Sequence, residues 1–186
     1  GMCHVNNAEY FHGTGMARAF EDEELHGCEE CHGIHDVEVT TLEMVGVGDE
    51  SVCTGCHDEG DEGYEVAEEM YSQLMSLVFA KDSAAVLAGE VQRIGMDDLE
   101  IGYLQREANQ ALIQARTLVH TFDPARTGEV TTAGLESARN AMALARSEIE
   151  AFSFRRMGFG IATLFITVLT VALFFKIRDI ESSKDS

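Results

Sequence analysis

Two five-residue strings constrain this chain more than any other feature: Cys28-Glu29-Glu30-Cys31-His32 and Cys53-Thr54-Gly55-Cys56-His57. Each reads C-x-x-C-H. At that spacing two thiols add across the vinyl groups of a c-type haem, and the adjacent histidine reaches the iron from one face. The first four residues, Gly1-Met2-Cys3-His4, have the tail of the same pattern with its first cysteine missing. A peptide wrapped around such groups needs little apolar core of its own, because the macrocycles supply it.

Zinc is the competing reading. Cys28 and Cys31 followed by Cys53 and Cys56 have the look of a four-cysteine zinc site. That explains the cysteines but not the histidine that closes each pair, nor the one that follows Cys3. Plain disulfides explain still less. Five cysteines is an odd count. A sixth just before Gly1 would complete the pattern there, so the expectation is the C-terminal part of a longer chain. Its export signal would lie in the missing segment, since c-type haem is attached on the outer side of a membrane.

Charge narrows the partners. Residues 1–64 contain 16 Asp and Glu against one basic residue, Arg18, within a chain of net charge −20. No basic patch is available to track a phosphate backbone, which argues against nucleic acid.

Glycines interrupt residues 1–61 and rule out a long helix there. Beyond Gly63 the apolar period becomes helical: Val66, Met70, Tyr71, Leu74, Leu77 and Val78 mark a helix over 64–80. Residues 83–94 either continue it or form their own. Gly95 to Asp98 reads as a break, with Asp97 or Asp98 as an N-cap, and a second helix should follow over 99–121. The only proline, Pro124, places a loop at 123–128, and the last helix should open near 132–135. Nothing from there to Ile180 stops it firmly, which would make it about 73 Å long at about 1.5 Å per residue. Residues 157–175 carry no charge and match the roughly 20 residues that cross a bilayer. Arg155, Arg156, Lys176 and Arg178 flank them and can snorkel.

The strings resemble the multihaem c-type cytochromes of bacteria and archaea. The resemblance rests on Cys28/Cys31/His32, Cys53/Cys56/His57 and the residual Cys3/His4, so it covers residues 1–57. The implied fold is mainly α: a loop-rich multihaem region (1–62), an antiparallel helical bundle (63–156), a C-terminal transmembrane helix (157–176) and a cytoplasmic tail (177–186). The implied cofactor is haem c, two copies and a third through Cys3 and His4. His32, His57 and His4 would be the proximal ligands.

Three irons then need three distal ligands, and His35, His120, His12 and His26 are the remaining histidines. His35 follows His32 by three residues and would serve a neighbouring haem. His120 stands alone in the helical part, and the haem of residues 53–57 is its nearest partner along the chain. His12 precedes Gly13, where a macrocycle can approach closely. His26 lies two residues before Cys28. Met16 and Met44 are sulfur alternatives; most other methionines fall at helical spacing and read as core. Glu29 and Glu30, inside an attachment loop, would favour the oxidised iron.

The resemblance implies a membrane-tethered cytochrome of a prokaryotic inner membrane, its N-terminal part outside and its C-terminus in the cytoplasm. Single electrons would pass between a quinone-linked or cytochrome b-type membrane partner and extracytoplasmic carriers, within a larger complex. Two alternatives stay open. One is a subunit of a multihaem reductase or oxidase with one open iron. The other is a zinc-binding membrane adaptor.

Overall fold

A computed structural model of the chain describes residues 4–37 and 39–184. It is mainly helical, and no strand occurs among the described residues. Six α-helices follow in order: α1 (Val5–His12), α2 (Gly15–Asp22), α3 (Cys28–His32), α4 (Glu62–Arg93), α5 (Leu99–Leu118) and α6 (Pro124–Lys184). Two 3-10 turns intervene, Cys53–Gly55 before α4 and Val119–Thr121 after α5.

The glycine-rich first part forms three short helices separated by turns. Thr14 opens α2 by accepting a hydrogen bond from the Ala17 amide at 3.1 Å. Phe11 is the buried residue of α1. Its ring meets those of Phe20 and Phe122 edge-on, at centroid distances of 5.7 and 6.3 Å. This aromatic junction joins the first two helices to the corner between α5 and α6. Phe122 turns that corner with a left-handed backbone, φ +49°.

The remaining helices form the one extensive packing unit. Along α4 the buried positions are Ala67, Met70, Leu74, Leu77, Ala84, Ala88 and Val91, a stripe of three- and four-residue steps. On α5 they are Ile101, Ala108, Ala115 and Leu118. On α6 the buried stripe holds Thr127, Thr131, Ala138, Ala141 and Ala145. Alanine dominates, so the helices approach closely and gain stability from length rather than from bulky side chains. Gly134 marks the tightest approach: a Cβ there would sit 2.6 Å from the Ala111 Cβ and 3.0 Å from Leu77. One cluster combines Ala84, Ala88 and Val91 with Ile101, Ala141 and Ala145, so all three helices share a core.

At two element boundaries the structure decides between open alternatives, and at a third it differs from expectation. The segments 64–80 and 83–94 are one helix, α4, because nothing between them breaks the hydrogen-bond ladder. Asp97, not Asp98, supports the start of α5, accepting from the Leu99 amide at 3.1 Å. The last helix opens at Pro124 rather than near 132–135. Proline at the first helical position loses no hydrogen bond, and Asp123 caps it by accepting from the Ala125 amide at 2.9 Å. The expected loop is thus the helix start.

Helix α6 runs for 61 residues, about 90 Å at about 1.5 Å per residue. Its first half packs on α4 and α5. Its second half is long and apolar enough to cross a membrane, with none of the apolar stretch buried. Thr163, Thr167 and Thr170 return their hydroxyls to the carbonyls of Phe159, Thr163 and Ile166, each at 2.8 Å. Polar groups on this exposed surface are therefore satisfied within the helix itself, as a lipid environment requires.

Candidate functional site

Both complete C-x-x-C-H strings fold as a single helical turn. In α3 the thiols of Cys28 and Cys31 stand three residues apart, and His32 stands four after Cys28, so all three share one face. Glycines bracket the turn with positive φ, Gly27 at +64° and Gly33 at +78°; only glycine enters and leaves so short a helix this way without strain. Glu30 reaches back and accepts from the His26 amide at 3.1 Å. At the second string the amides of Cys56 and His57 both bond to the Cys53 carbonyl, at 3.2 and 3.0 Å. Ser51 caps this turn by accepting from the Cys53 amide at 3.0 Å. Sequence reading missed Ser51 and the capping role of Glu30.

Burial pushes the Cys31 thiol above its ordinary acidity range, and the thiols of Cys53 and Cys56 push it further. All four described cysteines are free.

Around His32 a second histidine arrives from the far end of α5. The rings of His32 and His120 lie with centroids 6.1 Å apart and planes 27° from parallel. Burial holds His32 towards its neutral form, and the nearby charges of His120 and then His4 add to that. Along the chain His120 pointed to the 53–57 string; the fold sets it beside His32 instead. His120 turns its Nδ1 to the Thr117 carbonyl at 3.0 Å. A carbonyl only accepts, so Nδ1 carries the proton and Nε2 keeps a free lone pair.

His57 has the same polarity by another route. Its Nδ1 lies 3.1 and 3.3 Å from the two carboxylate oxygens of Asp61. Asp61 also caps α4, accepting from the Tyr64 amide at 2.7 Å and from the Asp58 amide at 3.0 Å. The Tyr64 amide is the main reason its carboxyl stays below the usual carboxylate range; desolvation opposes it, and the Asp58 amide and His57 add to the lowering. The His57 ring lies directly on Gly63, where any Cβ would collide with it.

The other expected residues are placed more loosely. His4 stands at the start of α1, its carbonyl accepting from the Ala8 amide at 3.0 Å. His12 ends α1, exposed, its ring edge-on to Phe11 at 5.7 Å. His26 and His35 are exposed on either side of α3. Met16 lies on α2 and is half-buried. Met44 lines an open cleft of about 470 Å³ together with His32, Gly33, Asp36, Val39, Thr41 and Glu50. Cys3 lies outside the described residues. No group of three or more His, Cys, Asp or Glu is gathered to hold a metal among the described residues.

No family model, curated protein or solved structure matches this chain.

The residues present fit a haem iron. Such an iron asks two donors of the chain rather than three or four. The His32 and His120 ring centroids stand 6.1 Å apart with planes 27° from parallel. An ordinary aromatic pair spans the same separation. What marks this pair is that one ring ends a C-x-x-C-H turn and the other is anchored through Nδ1, leaving Nε2 for a metal.

Three long-range contacts hold the site region against the helices, and none was legible beforehand. Arg116 donates to the Thr40 carbonyl at 2.9 Å. The Tyr71 ring packs on Gly46, whose backbone has φ +109°. The Arg126 guanidinium stands over the Tyr10 ring at 5.3 Å.

Proposed function

We propose that the chain is a membrane-anchored multihaem c-type cytochrome subunit that conducts single electrons. The observation that carries this reading is the pairing of His32, which closes one C-x-x-C-H turn, with His120. Haem c, when bound, supplies an iron that changes charge by one without exchanging ligands.

The chain's own residues do the rest. Cys28 and Cys31 on one turn, and Cys53 and Cys56 on the other, would each hold one macrocycle. His32 and His120 would be the two ligands of one haem iron. His57, backed by Asp61, holds the second. Cys3 and His4 attach a third. His35, His12 and His26 remain to complete the second faces.

The architecture in this reading is a haem-bearing region on an antiparallel three-helix bundle, with α6 continuing into the bilayer. Haem attachment occurs on the outer face of the membrane, so residues 1–156 lie outside and residues 177–186 in the cytoplasm. Electrons then arrive from a quinol-oxidising or b-haem membrane partner and leave to extracytoplasmic carriers. The acidic surface of residues 1–64 faces those carriers.

Expression in a host that attaches c-type haem tests the reading. The expected result is covalent haem by intact mass, at two or three copies, and a sharp reduced α-band. A chain that leaves the host without covalent haem and with titratable zinc overturns it. In the haem-loaded protein, His120→Ala should keep the haem count and open one iron, read as new CO binding in the ferrous state. Unchanged CO binding removes His120 from the ligand set.

A further inference from the structure

We propose that Asp61 is a positioning residue that lowers the reduction potential of the iron held by His57 and couples that iron's ligand to the start of α4. The inference rests on the reading of residues 53–57 as a haem site.

Asp61 does more than an N-cap needs. A cap requires one acceptor oxygen for the amide three residues ahead. Asp61 uses Oδ1 for the Tyr64 amide at 2.7 Å and Oδ2 for the Asp58 amide at 3.0 Å. Those bonds fix the plane of the carboxylate, and both oxygens then lie within 3.1 and 3.3 Å of His57 Nδ1. The arrangement closes from the other side as well. The imidazole rests on the backbone of Gly63, where a side chain would displace it. The ligand, its anionic partner and the helix start are one unit spanning seven residues.

The physical effect follows from charge. A metal-bound imidazole that donates its other N–H to a carboxylate is a stronger electron donor than one bonded to a neutral acceptor. The full negative charge also opposes the loss of positive charge when the iron gains an electron. In that step the iron goes from ferric to ferrous, the electron comes from the reductant used as titrant, and the Nδ1 proton stays in its hydrogen bond. His120 offers the contrast within the same molecule, because its Nδ1 bonds a neutral backbone carbonyl. The two ligands are therefore backed by a charge in one case and a dipole in the other.

The test is a spectroscopically monitored potentiometric titration of the haem-loaded full chain and of Asp61→Asn. Asparagine caps a helix as well as aspartate does and keeps one acceptor oxygen for the Tyr64 amide, but it carries no charge and gives up the bond from the Asp58 amide. The expected result is an unchanged haem count and helix content, one midpoint potential shifted upward, the others unmoved, and an altered low-spin electron paramagnetic resonance signal for that one haem. Asp61→Ser, a second capping residue without charge, should shift the same midpoint in the same direction. Potentials that match wild type in both variants, with haem retained, reduce Asp61 to a helix cap and overturn this inference alone. A wild-type chain that carries no covalent haem overturns both this inference and the reading beneath it.

Discussion

Gly63 shows how one missing side chain can hold a candidate ligand in place. In a helix, alanine is ordinarily better than glycine by about 1 kcal/mol. Here the His57 ring occupies the space an alanine methyl would fill. Gly63→Ala should therefore destabilise the start of α4 instead of stabilising it, by roughly 1–3 kcal/mol as for other overpacked sites. A thermal melt reads the sign, and a gain in stability would place the His57 ring elsewhere. Little of this was visible in the string itself. C-x-x-C-H singles out the histidine that closes each string as a candidate ligand by spacing alone. It says nothing of what stands behind the imidazole. Asp61 fills that role for His57, as the Thr117 carbonyl does for His120, through bonds that depend on where α4 begins and α5 ends.

At the scale of elements, the stripes of α4, α5 and α6 explain why an alanine-rich set of helices packs at all. Small residues let the backbones approach, and Gly134 sits where α6 meets Ala111 and Leu77. Gly134→Ala should cost about 1–3 kcal/mol for the same reason of overpacking, read as a lower midpoint in chemical denaturation followed by helix signal. A neutral or stabilising effect would mean that α5 and α6 are further apart than described. The helices themselves were legible from their apolar period, and the break at Gly95 from its composition. The start of α6 was not. Pro124 reads as a breaker when taken alone and as a first helical residue once Asp123 caps it.

For the whole molecule, α6 is the connecting element, packed on the other helices at one end and wholly exposed and apolar at the other. A charge in the middle of that exposed stretch should disturb membrane insertion and little else. Leu169→Arg adds about 3 kcal/mol to the transfer of the helix centre into a bilayer. The expected outcome is a larger fraction of protein outside the membrane pellet after carbonate extraction, with the helix content of the rest retained. An unchanged pellet fraction would argue that protein, not lipid, covers this surface.

The sequence by itself determined the spacing of the cysteines and histidines, the helical periods and the apolar span, because each is encoded within a few neighbouring residues. Covalent spacing, a 3.6-residue repeat and an uncharged run need no knowledge of distant contacts. Only the tertiary structure decided which histidine stands beside His32, since His120 is 88 positions away and arrives by way of α4, α5 and the aromatic junction at Phe11. The pairing of distant side chains depends on where long helices end, and a shift of one residue turns a side chain by about 100° around the axis.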